Sequence, residues 1–217
     1  MADIFQEVDE EVRRERLNKL WQRYGNYIIA ACVLLIVAVG AWRGYEWWET
    51  RKAAESGAAF EEAVTLAEAG KRQEAEAAFA KLANDGTAGY RVLARLRQAA
   101  ELAPTDRQAA VKAYEEIAAD RGAGQVIQDL ATLRAAYLLV DSSSYADLRA
   151  LLEALTGPQR AFRYSARELL ALSAWKQGDM SAARQWADMI ITDPQTPQAA
   201  RSRAEVLSEL IAASGKG

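Results

Sequence analysis

The chain has 217 residues, 51% of them hydrophobic, with 27 basic against 30 acidic side chains and no histidine. That near-balance leaves little to neutralise a phosphate backbone, so nucleic-acid binding has no electrostatic support, and the missing histidine excludes Ser-His-Asp catalysis, Cys-His catalysis and every histidine-ligated metal site. The single cysteine, Cys32, forbids an intramolecular disulfide and a thiolate zinc cluster, while 46 alanines and only 4 prolines predict a helical protein without a β-sheet.

Residues 1–23 read as an amphipathic tail. Asp3 followed by Gln6 resembles a capping box, and Ile4, Val8 and Val12, with Leu17, Leu20 and Trp21 later, make a narrow apolar stripe at near-helical spacing. The tail is either a surface helix leading into the next segment or a docking helix for a cytoplasmic partner or membrane surface.

From Tyr27 to Trp42 the chain runs 16 residues without a charge, short of the roughly 20 that a bilayer core of about 30 Å requires. The flanks extend it. Trp21, Tyr24 and Tyr27 precede the run, and Trp42, Tyr45, Trp47 and Trp48 follow it, as two belts of amphipathic rings suited to headgroup level. A transmembrane helix is therefore expected over 24–48, against two competing readings, a cleaved signal peptide and a buried core helix. Ala38-Val39-Gly40 could serve as a cleavage site, but six acidic residues lie in the first 26 positions and a bulky, helical sequence follows. Arg13, Arg14, Arg16, Lys19 and Arg23 on one side outnumber Arg43, Arg51 and Lys52 on the other, which is expected to place the N-terminus in the cytoplasm and the remainder, 49–217, across the membrane, in the periplasm if the cell is Gram-negative. Gly40 and Gly44, four residues apart, allow close approach of a partner span; the plainer reading is two small residues near an interface.

Self-similarity organises the rest. At an offset of 35 residues, "AEAAFAKLANDGTAG" from Ala75 lies over "AVKAYEEIAADRGAG" from Ala110, matching Ala75 with Ala110, Phe79 with Tyr114 and Leu82 with Ile117. Shared positions at spacings of 3 and 4 mark one buried helix face. A third copy, "YADLRALLEALTG", places Leu148, Leu152 and Leu155 on that face after a serine loop, and a fourth, "LLALSAWKQGDMSAARQWADMIITDP", turns at Gly178 and closes at Pro194. The first unit turns at Gly70, and Gln198 to Ala213 fits a capping helix. The pattern of Leu170, Ala171 and Ala174, then Gly178, Ala182, Trp186 and Pro194, resembles the tetratricopeptide repeat. Hairpins that cannot bury their apolar faces alone must stack, so the expected fold is all-α: a transmembrane helix followed by an α-α superhelical solenoid.

Chemistry is sparse. There is no phosphate-binding P-loop and no G-x-G-x-x-G, and acidic neighbours such as Glu61-Glu62 and Glu115-Glu116 point about 100° apart on a helix, as on a solvated face. No enzyme activity, cofactor, metal or small-molecule substrate is expected.

The layout as a whole resembles the family of the ancillary SecYEG translocon subunit, a bacterial inner-membrane protein with a cytoplasmic tail, one span and a periplasmic tetratricopeptide domain. The resemblance rests on the transition "GAWRGYEWWETRKAAESGAAFEEAV" and the turns at Gly70 and Gly178. It implies a membrane-anchored protein-binding scaffold that assists export or folding of envelope proteins, with translocon subunits, periplasmic chaperones or exported clients as partners. The alternative is a structural organiser of cell division or envelope assembly. In the second hairpin, Tyr90, Leu93, Leu96 and Ala100 are expected on the buried face, leaving Arg91, Arg95 and Gln98 together elsewhere. In the fourth, the tetratricopeptide resemblance puts Glu168 and Trp175 on the ligand side of the first helix. These five residues are the expected partner-binding set; the competing reading makes the arginines a solvated face and Trp175 a packing residue.

Overall fold

The computed structural model describes residues 3–214, with side chains from Trp21 onward. The expected capping box at Asp3 and Gln6 and the stripe from Ile4 to Leu20 lie outside the described side chains. The chain is all-α, with no strand among the described residues. Its helices are α1 (Asp3–Glu68), α2 (Arg72–Asp85), α3 (Ala88–Leu102), α4 (Arg107–Ala119), α5 (Gln125–Leu139), α6 (Tyr145–Leu152), α7 (Arg163–Lys176), α8 (Met180–Ile191) and α9 (Gln198–Ser214). They fall into two units, Met1–Ala54 and Glu55–Gly217.

In the first unit, α1 is long and apolar enough to cross a membrane, and only 6% of its most apolar window is buried within the chain. Leu34, Leu35, Ile36 and Val37 are exposed. These side chains are not covered by residues of their own unit. Beyond the apolar run, Lys52 lies 4.1 Å from the Trp48 ring centroid and the Arg51 guanidinium 5.6 Å from that of Trp47.

The second unit is built from helical hairpins. Polar caps begin three of its helices: Asp106, Ser144 and Asp179 accept from the backbone N–H of Ala109, Asp147 and Ala182. Gly70 and Gly178 adopt φ of +76° and +82°, a left-handed turn that glycine enters without a Cβ penalty, so each expected turn sits where the sequence put it. The repeated positions are the core: Ala75, Phe79 and Leu82 in α2, Ala110, Tyr114 and Ile117 in α4, and Leu148, Leu152 and Leu155 around α6 are all buried. Phe60 of α1 meets Phe79 edge-on at 5.7 Å and Tyr90 of α3 at 6.0 Å.

Two faces differ from expectation. In α3 the fully buried positions are Ala94 and Ala99; Tyr90 and Leu96 are half-buried, while Leu93 and Ala100 are exposed. The reason is steric, because α3 packs against both α2 and α4 and close approach on two sides favours the smallest side chains. In α8 the fully buried alanines are Ala183 and Ala187, with Ala182 only half-buried, a register shift of one residue at the marker position that leaves Trp186 in the core.

Candidate functional site

The hairpins leave the odd-numbered helices as one continuous layer. Ser56 of α1 accepts from the Thr87 N–H at the start of α3 (3.2 Å), α3 and α5 share the core around Tyr114, and α5 contacts α7. The Arg203 guanidinium of α9 then donates to both Glu168 oxygens of α7, at 2.7 and 2.9 Å, and further along the same two helices the Trp175 indole N–H donates to the Ser214 hydroxyl at 3.1 Å. Two contacts advancing together along both helices mean that α7 and α9 run in the same direction.

The expected binding residues occupy distinct settings. Arg91, Arg95 and Gln98 do share one side of α3, but Arg95 and Gln98 are half-buried on the arc flanked by Ala94 and Ala99. Arg95 is committed within the chain, its guanidinium 2.6 Å from Asp120, which also accepts from the Gly122 N–H at 2.9 Å. The Arg95 hydrogen bond, with help from Gly122, holds the Asp120 carboxyl below its ordinary range. Glu168 and Trp175 both face α9: the first is paired with Arg203, whose pKa the carboxylate raises, and the second packs against the core of α5 to α9. Gly40 and Gly44 lie in the first unit with open space around the position of an added Cβ at each.

The connection after α8 is a second dense polar cluster. The buried Arg167 donates to the carbonyls of Thr156 (2.8 Å) and Met189 (3.0 Å) and lies 3.4 Å from Asp193; Arg163 is 3.6 Å from the same carboxylate. Asp193 is held below its ordinary pKa first by the Gln195 N–H, against a desolvation effect, and then by Tyr164 and the two arginines. Arg167 spends its donors on the chain's own carbonyls and on Asp193, and Arg163 donates to Tyr164 and to the Gln195 side chain, which makes this a clasp between α7 and the α8–α9 turn.

What remains open is the outer side of the odd layer. On α3 it presents Leu93, Arg97 and Ala100, and on α5 Val126, Arg134 and Tyr137, each series spaced to lie along one side of its helix. On α9 it presents Val206 and Leu210. Among the described residues, Arg97 and Arg134 have no hydrogen-bonding or ion-pair partner. Tyr114 of α4 is 4% exposed and packs with Ala99 of α3 and Ala131 and Ala135 of α5. Burial pushes the Tyr114 phenol above its ordinary pKa, and Arg134 and Arg97 pull it back down. Sequence reasoning passed over this pair, because Arg97 and Arg134 lie in different repeats and their shared electrostatic influence on Tyr114 depends on packing. The tyrosine itself was visible as the counterpart of Phe79, the one repeat aromatic of that pair with a hydroxyl.

No cluster of potential metal ligands occurs among the described residues. The arrangement offers polar and apolar surface without a nucleophile, base or enclosed cavity among the features described above, which suits recognition of another macromolecule.

A family model described as a tetratricopeptide repeat-like domain matches residues 18–196. It ends before α9, the helix that closes over Glu168 and Trp175. Searches of curated proteins and of solved structures returned no match.

Proposed function

The chain belongs to the tetratricopeptide repeat-like family and is a protein-interaction scaffold, and from that premise we propose that it is a membrane-tethered module ancillary to the Sec translocon, assisting export or folding of envelope proteins. In this reading the apolar part of α1 is a single inner-membrane span, residues 1–23 face the cytoplasm, and the helical repeats stand in the periplasm. Translocon subunits, periplasmic chaperones and exported clients are its partners, and no chemistry of its own is required. The observation that carries the proposal is the pairing of one exposed apolar helix with a repeat layer whose outer side is left open. Gly40 and Gly44 would then serve a neighbouring span. Glu168 and Trp175 would act at one remove, by fixing α9, while Arg91 and Gln98 would offer side contacts.

The test is site-specific photocrosslinking from Leu93 and Val126 in intact membranes. Crosslinks to translocon subunits and to nascent exported chains are the expected result. Crosslinks confined to septal or outer-membrane assembly proteins would replace this reading with that of an envelope organiser.

A further inference from the structure

We propose that Lys52, held over the Trp48 ring beside Tyr45 on one side of α1, seats the phosphate of a phospholipid headgroup at the C-terminal end of the apolar run. The inference rests on the membrane-span reading and names the lipid chemistry that the span engages.

Spacing builds the seat. Tyr45, Trp48 and Lys52 are three and four residues apart, so an uninterrupted helix turns them to one side. The Tyr45 and Trp48 ring centroids lie 6.2 Å apart, and the Lys52 ammonium stands 4.1 Å from the Trp48 centroid. Both rings are exposed. A ring face attracts an ammonium through its quadrupole but is no conventional acceptor, so it positions the charge and leaves the three N–H groups to an oxygen ligand. Because the side chain leans back toward the preceding turn, the ammonium lies nearer the apolar run than its own Cα.

Depth points to the same ligand. A second cation–ring pair, Arg23 with Tyr24 at 6.0 Å, sits at the other end of the run. Tyr24 and Trp48 are 24 residues apart on one helix, which at about 1.5 Å per residue is about 36 Å along its axis. A hydrocarbon core is about 30 Å thick, and a bilayer with its headgroups about 40–45 Å. A helix crossing near the normal therefore sets both rings just outside the core and both cations in the phosphate layers. A tilt of about 20° shortens the separation only to about 34 Å, still beyond the core.

The surroundings narrow the chemistry. Between positions 43 and 52 the cations Arg43, Arg51 and Lys52 face two carboxylates, Glu46 and Glu49. Arg43 lies 3.3 Å from Glu46, and the Arg51 guanidinium 5.6 Å from the Trp47 ring centroid. The small net charge gives little broad attraction to an anionic surface, and a single phosphodiester matches it. The exposed Leu34, Leu35, Ile36 and Val37 supply contacts for the acyl chains of the same lipid. An acidic peptide would meet the lysine and leave these side chains uncovered.

The full-length protein in detergent is examined by native mass spectrometry with added phosphatidylglycerol, phosphatidylethanolamine, diacylglycerol of the same acyl chains, or inorganic phosphate. Both phospholipids should bind more tightly than diacylglycerol and than inorganic phosphate. K52Q should weaken phospholipid binding about fivefold, K52R should retain it, and Trp48→Ala should weaken it about threefold. K112Q, at an exposed site on α4, should leave it unchanged. Wild-type phospholipid binding by K52Q, or diacylglycerol binding as tight as phospholipid, overturns the proposal. Inorganic phosphate binding as tightly as phospholipid also overturns it, because the site would then hold an ion and not a lipid. Alkaline carbonate extraction separates this proposal from the reading beneath it. Release of the chain from membranes defeats both, whereas retention together with unaltered K52Q binding defeats this proposal alone. The measurement needs no translocon, so it stands apart from crosslinking to export components.

Discussion

Trp175 illustrates how a residue's role depends on what lies over it. Its spacing from Glu168 places it on the ligand side of a repeat, yet its ring packs against the core of α5 to α9 and its indole N–H is bonded to Ser214. Trp175→Ala should therefore lower the unfolding free energy by about 2 kcal/mol, less than the roughly 3–5 of a fully buried tryptophan because the side chain is only half-buried. Trp175→Phe, which keeps most of the packing area but loses the donor, should cost about 1 kcal/mol. Urea titrations followed by helical ellipticity read both values. An unchanged midpoint combined with weakened partner capture would return Trp175 to the binding surface. A similar distinction separates the arginines of α3, since Arg95 is committed to Asp120 while Arg97, two residues on, has no partner among the described residues.

Among the elements, the contact of α1 with α3 gives the sharpest test of packing. Gly57 sits inside α1, where exchanging glycine for alanine ordinarily gains about 1 kcal/mol of helix propensity. A Cβ at that position would, however, lie 2.8 Å from the Tyr90 hydroxyl oxygen, with the next ring atom at 3.3 Å. The two effects oppose each other. Gly57→Ala should be neutral or destabilising in the native background and stabilising in Tyr90→Phe, giving a coupling of roughly 1 kcal/mol in a double-mutant cycle of thermal midpoints. Equal effects in the two backgrounds would mean that α1 and α3 are not held at this distance. Crowding of the same kind explains α3, where close neighbours leave room inward only for Ala94 and Ala99 and turn Leu93 outward. Helix α9 completes the series: it buries Leu207 and Ile211 against the last hairpin, and Arg201 donates to the carbonyls of Ile191 and Asp193, so polar bonds hold its start and apolar burial its middle.

For the whole molecule the decisive question is which side of the membrane each unit occupies. The excess of Lys and Arg before the apolar run argues for a cytoplasmic N-terminus. With Cys32 replaced by serine, a Ser214→Cys variant should react with a membrane-impermeant maleimide once the outer membrane is permeabilised, because Ser214 is exposed at the end of α9. Labelling that requires lysis of the inner membrane would reverse the orientation and move the repeats into the cytoplasm. The reactivity should be lower than that of an exposed thiol in an unfolded chain, since the position borders Trp175.

The sequence by itself determined the helical class, the apolar segment, the turns at Gly70 and Gly178 and most of the core. Each depends on residues close in the chain: a run without charges, a glycine that enters a left-handed turn, or alanines and aromatics recurring every three or four positions, as in Ala75 and Phe79 or Ala110 and Tyr114. Spacing placed Arg91, Arg95 and Gln98 on one side of α3, but that side carries the buried Ala94 and Ala99 and not the open face that was expected. Only the tertiary structure decided which side of α3 stays open, because that depends on the combined thickness of the helices packed around it, and a wheel drawn from one helix contains no neighbour. It alone paired Arg203 with Glu168 and Arg95 with Asp120, contacts between residues tens of positions apart whose meeting is set by how one helix packs on the next.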